Sequence, residues 1–108
     1  MKPNASVILS MLGPQLESSV TVGGRPIRNR LYRAPLLECA GNGPDAVETL
    51  IDELEPAAAS GAGLIHQGAT IVREAGGCAA PGMTRVADSG FVERLGELTE
   101  AVHAHGSA

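Results

Sequence analysis

Asn29-Arg30-Leu31-Tyr32-Arg33-Ala34-Pro35-Leu36-Leu37-Glu38 decides how the rest of this 108-residue chain is read. Arg30 to Leu37 has the character of a short buried strand. Pro35 has no N–H for a sheet ladder, so it stops the strand and stiffens the turn that follows. A strand running into a rigid apolar turn is a place where a flat ligand can lie against the main chain.

Working outward, Val20-Thr21-Val22 and Ile27-Arg28-Asn29 are extended pieces on either side of Gly23-Gly24, which predicts a β-hairpin ahead of the strand. Met1 to Gln15 shows no clean period and reads as an N-terminal leader (1–15), with the body over residues 16–108. Its apolar run Val7 to Gly13 follows a single Lys2, which is too short and too weakly charged for a secretory signal. Downstream, Asn42-Gly43-Pro44-Asp45 is a loop becoming a helix start. Pro44 lies near the first helical position, and Asp45 and Glu48 sit in the first turn, where negative charge suits the helix dipole. Val47, Leu50, Ile51 and Leu54 form one apolar stripe, opposite Glu48, Asp52, Glu53 and Glu55. Pro56 is expected to kink or end this helix, and Gly61 to turn the chain.

Ala62 to Thr70 reads as a second strand, largely apolar at its start, as a strand covered on both faces would be. Glu74 to Met83 is too rich in Gly and Pro for regular structure. Asp88 or Ser89 then caps a second helix with Phe91, Leu95, Leu98 and Val102 on one face, ended by Gly106. Hairpin, strand, helix, strand, loop, helix is the order of a parallel α/β sheet built from crossovers. Two strands and two helices leave the second strand with an open edge, so the unit reads as incomplete and poorly soluble by itself. A following strand is expected just after Ala108.

Composition narrows the chemistry. Hydrophobic residues make up 44% and aromatic residues 2%, so the core must be built from Ala, Val, Leu and Ile. A formal charge of -4 argues against a nucleic-acid surface, which needs clustered Lys and Arg. No stretch approaches the roughly 20 apolar residues of a membrane span. Cys39 and Cys78 have neither zinc-site spacing nor a disulfide framework, so no metal is expected and reduced thiols in a cytoplasmic protein are.

In alternating strand–helix folds, ligand-binding groups lie in the loops after the strands. That rule selects Ala34-Pro35-Leu36-Leu37-Glu38-Cys39 and Gln67-Gly68-Ala69-Thr70. Pro35 fixes the backbone, and Gly68 permits close approach to the main chain. Neither cluster holds an evident nucleophile and base, so no catalytic residue is assigned, and positioning a cofactor is favoured over acid–base work.

Val20 to Arg30 followed by Ala34-Pro35, then Gly61-Ala62-Gly63-Leu64-Ile65 with Gly68-Ala69, then Pro81-Gly82-Met83 and the helix ending Ala101 to Gly106, resemble in order the opening of the old yellow enzyme family. This family of NADH:flavin oxidoreductases includes the 2,4-dienoyl-CoA reductase branch. The resemblance runs from about Leu16 to the end of the chain. It implies the N-terminal portion of a (βα)8 TIM barrel: an initial hairpin and the first two βα units of a flavin-binding domain, stopping before the third strand. Members bind FMN, take hydride from NADH or NADPH, and pass it to an activated alkene such as an enoyl compound. By resemblance, Ala34, Pro35, Leu36 and Leu37 would lie along the flavin, with Gly68 or Ala69 near its pyrimidine end. Leu37 stands where many relatives have Thr or Cys, and it cannot donate their hydrogen bond, which leaves open a barrel serving another flavin or phosphate ligand. The family's substrate-activating histidines, proton-donating tyrosine and phosphate loops come from later strands, so this piece alone is expected to be inactive. The alternative is a non-enzymatic α/β module that forms a homo-oligomer or binds a partner through its open sheet edge.

Other reactive side chains have plainer expectations. His66 satisfies a local hydrogen bond, while His103 and His105 complement the last helix's dipole. Cys39 is a small buried hydrophobe beside the pocket, and Glu38 either meets substrate or pairs with Arg33.

Overall fold

The computed structural model describes Val7, residues 14–41, Gly43, residues 45–87 and residues 89–108. The leader before Pro14 other than Val7, the roles given to Asn42 and Pro44, and the cap role of Asp88 lie outside the described residues. In chain order the elements are α1 (Pro14–Glu17), β1 (Val20–Val22), β2 (Arg25–Ile27), β3 (Tyr32–Arg33), α2 (Asp45–Ala59), β4 (Leu64–Ile65), α3 (Glu74–Gly77) and α4 (Ser89–His103).

β1 and β2 form the expected antiparallel hairpin, with Val20 opposite Ile27 and Val22 opposite Arg25. Gly23 and Gly24 both have positive φ, +56° and +79°, as the two-residue turn that matches strand twist requires. That turn sets the register, so the second strand starts at Arg25 rather than at Ile27. Arg28 and Asn29 fall beyond the ladder and act through their side chains. The buried Asn29 amide donates to the Gly61 carbonyl at 2.7 Å and accepts from the Leu31 N–H at 3.0 Å. Arg28 reaches the C-terminal ends of both long helices, donating to the carbonyls of Ala58, Ala62 and His105 and to the Ser107 hydroxyl.

β3 and β4 are parallel, with Tyr32 opposite Leu64 and Arg33 opposite Ile65. Both strands are much shorter than the expected runs Arg30–Leu37 and Ala62–Thr70. Pro35 cannot continue the ladder, and past that point the two chains are joined by the Glu38 side chain instead. The outer edge of β4 is not wholly open, which corrects the expectation of an unpaired edge. Ala108 accepts from the Ile65 N–H at 2.7 Å and donates to the Gly63 carbonyl at 2.9 Å, the pattern of a parallel rung opposite Leu64.

The core lies between the two long helices. Val47, Leu50, Leu54 and Ala58 of α2 interlock with Phe91, Leu98 and Val102 of α4, and Ile51, Leu95 and the β4 residue Ile65 pack against them. Burying a Phe or Leu side chain contributes about 1.5–3 kcal/mol, so these stripes dominate the apolar stabilisation. α2 runs through Pro56 to Ala59, so the proline does not end the helix. It is exposed, as is Asp52 one turn earlier, so the residue whose carbonyl loses its helical donor lies on the solvent side of the helix. Gly61, at φ +104°, then turns the chain into β4 as expected. The loop after β4 is more ordered than its Gly and Pro content suggests. Ile71 and Arg85 form a parallel bridge, α3 is one irregular turn, and buried Met83 offers its sulfur to the N–H groups of Ala79 and Ala80.

Candidate functional site

Because β3 and β4 are parallel, the segments that leave them start from the same end of the sheet, and they converge. Pro35, Leu36 and Leu37 form one wall of an open cleft of about 500 Å³, and His66–Ala69 form the other. Five of the six residues assigned to a ligand from the sequence meet here. Ala34 does not, and it lies outside the cleft lining because Pro35 turns the chain only after it. His66 and Gln67 are the lining residues missing from that assignment.

The cleft walls are apolar but wet. Leu36 is 65% exposed and Leu37 43%. Among the described residues, no acceptor is found for the main-chain N–H groups of Leu36, Leu37 and Ala69, and all three residues are exposed. Gly68 is buried where the walls touch. A Cβ there would fall 1.5 Å from the Leu36 carbonyl oxygen and 2.4 Å from Glu38 Oε2, so the close approach it permits is made by Leu36 from within the protein.

Glu38 pairs with Arg33, as one of its two readings anticipated. Arg33 Nη1 donates to Glu38 Oε1 at 3.1 Å, with the two side chains 17% and 5% exposed. The same nitrogen donates to the His66 carbonyl at 3.1 Å, and the Gly68 N–H donates to Glu38 Oε2 at 2.9 Å. His66 has its local partner, the Tyr32 hydroxyl, 3.0 Å from Nδ1. The other histidines meet side chains of their own: His105 Nε2 lies 3.0 Å from Glu55 Oε1, and His103 Nε2 lies 3.4 Å from Arg25 Nη2. Cys39 is exposed rather than buried and has φ +51°. The chain must bend there so that the Gly41 N–H can reach the Gly82 carbonyl at 2.7 Å. No group of His, Cys, Asp or Glu among the described residues could hold a metal ion. No helix among them is long and apolar enough to cross a membrane.

Parallel strands joined through a helix, with helices packed on the sheet and a cleft at the strands' C-terminal ends, define an α/β unit of the strand–helix class. Within that class, the resemblance to the old yellow enzyme family extends to three dimensions. A crystal structure of TcOYE with pHBA matches 88% of this chain at a TM-score of 0.68 and 27% identity. The structure of a variant of NCR from Zymomonas mobilis matches 88% at a TM-score of 0.69 and 28% identity. This chain spans 26% of the first protein and 30% of the second. No family model matches the chain, and no curated protein matches it.

Proposed function

We propose that this chain supplies the first two strand–helix units of a TIM-barrel flavoprotein, an FMN-dependent oxidoreductase acting on an activated alkene. The observation that carries this reading is the cleft at the C-terminal ends of two adjacent parallel strands, the position used for ligands in barrels of this kind. The lining fits a flavin ring. Leu36 and Leu37 offer an apolar surface, and the N–H groups of Leu36, Leu37 and Ala69 are free to meet ring oxygens or nitrogens. No lysine or arginine is among the residues lining the cleft, and Arg33 is engaged by Glu38, so the phosphate would be held elsewhere in the barrel. Bound FMN would supply the redox chemistry, taking hydride from NADH or NADPH. The residues of this chain bind and orient the ring and cover one side of it.

Titrating FMN with the purified chain and following flavin fluorescence tests the reading. Saturable quenching with a Kd weaker than about 10 μM, lost in Gly68→Ala, is expected. Quenching unchanged by Gly68→Ala, or a Kd of about 1 μM or tighter for this chain without the rest of a barrel, would overturn it. A second reading, a self-associating module, draws on the exposed apolar side chains Val22, Tyr32, Leu36 and Leu37. A discrete folded oligomer without flavin affinity on size-exclusion chromatography would favour it.

A further inference from the structure

The cleft walls are separate loops, one after β3 and one after β4, and no regular hydrogen-bond ladder joins them beyond the Arg33–Ile65 pair. What joins them is one buried carboxylate. Glu38 sits on the first wall with its side chain 5% exposed, and both its oxygens lie within reach of the Gly68 N–H on the second wall, at 3.2 and 2.9 Å. Arg33 balances the charge at 3.1 Å and also holds the His66 carbonyl at 3.1 Å, so the second wall is gripped at two successive peptide groups, on either side of Gln67. There is no slack in this junction, since a single carbon added at Gly68 would meet the Leu36 carbonyl at 1.5 Å. A carboxylate that accepts the Gly68 N–H also turns the Gln67 carbonyl to the opposite side of the same trans peptide. Among the described residues no donor reaches that carbonyl.

We propose that Glu38, balanced by Arg33, is the positioning residue of the cleft: it fixes the separation of the two walls and the orientation of the Gln67–Gly68 peptide. The ligand-binding consequence rests on the flavin reading above, but the clamp itself does not. Charge-assisted hydrogen bonds are roughly twice as strong as neutral ones, and this pair is shielded from water, so losing the carboxylate frees both walls together.

Native-state hydrogen exchange on the full 108-residue chain tests this, comparing wild type, Glu38→Ala and the double variant Arg33→Gln/Glu38→Gln. Two glutamines can rebuild the chain of donors and acceptors without charge. In Glu38→Ala the Gly68 and His66 amides should exchange at least about tenfold faster, while the Leu50 and Leu98 amides change less than about twofold. The double variant should recover most of the protection. Uniform acceleration across α2 and α4, unfolding of the helix pair in both variants, or a wild-type Gly68 amide exchanging as fast as free peptide would each overturn the clamp. FMN fluorescence then separates the two readings. If wild type binds FMN, Glu38→Ala should weaken binding about tenfold, and unchanged affinity counts against the positioning role. If wild type does not bind FMN, the exchange data alone decide the clamp.

Discussion

The two faces of the β3–β4 pair are finished in different ways. Successive strand residues point to opposite faces. On one face Ile65 joins the α2–α4 core, where Val47, Leu50, Leu54 and Phe91 are almost wholly withdrawn from water. On the other, Tyr32 is 50% exposed and joined to His66 by one polar contact, and the cleft opens beside His66. The covered face is held by many non-directional contacts, whereas the cleft is held by a few directional bonds centred on Glu38. Stability and candidate function therefore rest on different chemistry, the core over one face of the strand pair and the cleft beyond its C-terminal end.

That contrast breaks most readily at Phe91. Phe91→Ala should cost about 4 kcal/mol in urea unfolding, and Leu36→Ala, across the sheet, should stay within about 0.5 kcal/mol. Comparable losses would show that the cleft wall belongs to the core after all. Gly68→Ala should cost about 2 kcal/mol, because the added carbon forces the walls apart, and the cleft should suffer more than the helices. Urea midpoints read alongside Gly68 and Leu50 amide exchange would show whether the damage stays local. Arg28→Ala should cost about 1.5 kcal/mol by thermal unfolding, since it strips a partner from the Ala58 carbonyl in the last turn of one long helix, the Ala62 carbonyl just after it and the His105 carbonyl just after the other.

The smallest effect lies on the outer seam of the helix pair, where Arg94 bonds both Glu97 and Glu48. The hydrogen bond from Arg94 lowers the Glu97 pKa, while partial desolvation opposes the shift. A lowered folded-state value means that the stabilisation is complete above the unfolded carboxyl value of about 4.3 and is lost as pH falls through the folded one. Glu97→Gln should therefore flatten the acid limb of a stability–pH profile slightly and leave the neutral plateau nearly unchanged. A steeper acid limb in the variant would reverse the assigned sign.

What could be read in advance follows the same division. The stripes Val47-Leu50-Leu54 and Phe91-Leu98-Val102 were legible because helical periodicity is local and repeated. The Gly23-Gly24 turn was legible because only glycine adopts that pair of dihedrals cheaply. Strand limits were not, since a two-residue parallel strand is defined by its partner, and the start at Arg25 by turn register. Pro56 misled because a proline's cost depends on whether the freed carbonyl meets water, which composition does not reveal. Cleft residues could be chosen by their place after strands, and Arg33–Glu38 lies within a short span of sequence. The Gly68 amide that completes the clamp is thirty residues away from Glu38, and no local pattern announces it.

Arg28 carries a consequence for the order of assembly. Its partners at His105 and Ser107 lie 77 and 79 positions along the chain, although the hairpin beside it can close within microseconds. As the polypeptide emerges from the ribosome at about 5–20 residues per second, the guanidinium is ready seconds before its last acceptors exist. It is a latch made early and closed late, so a finished hairpin waits on residues synthesised well after it.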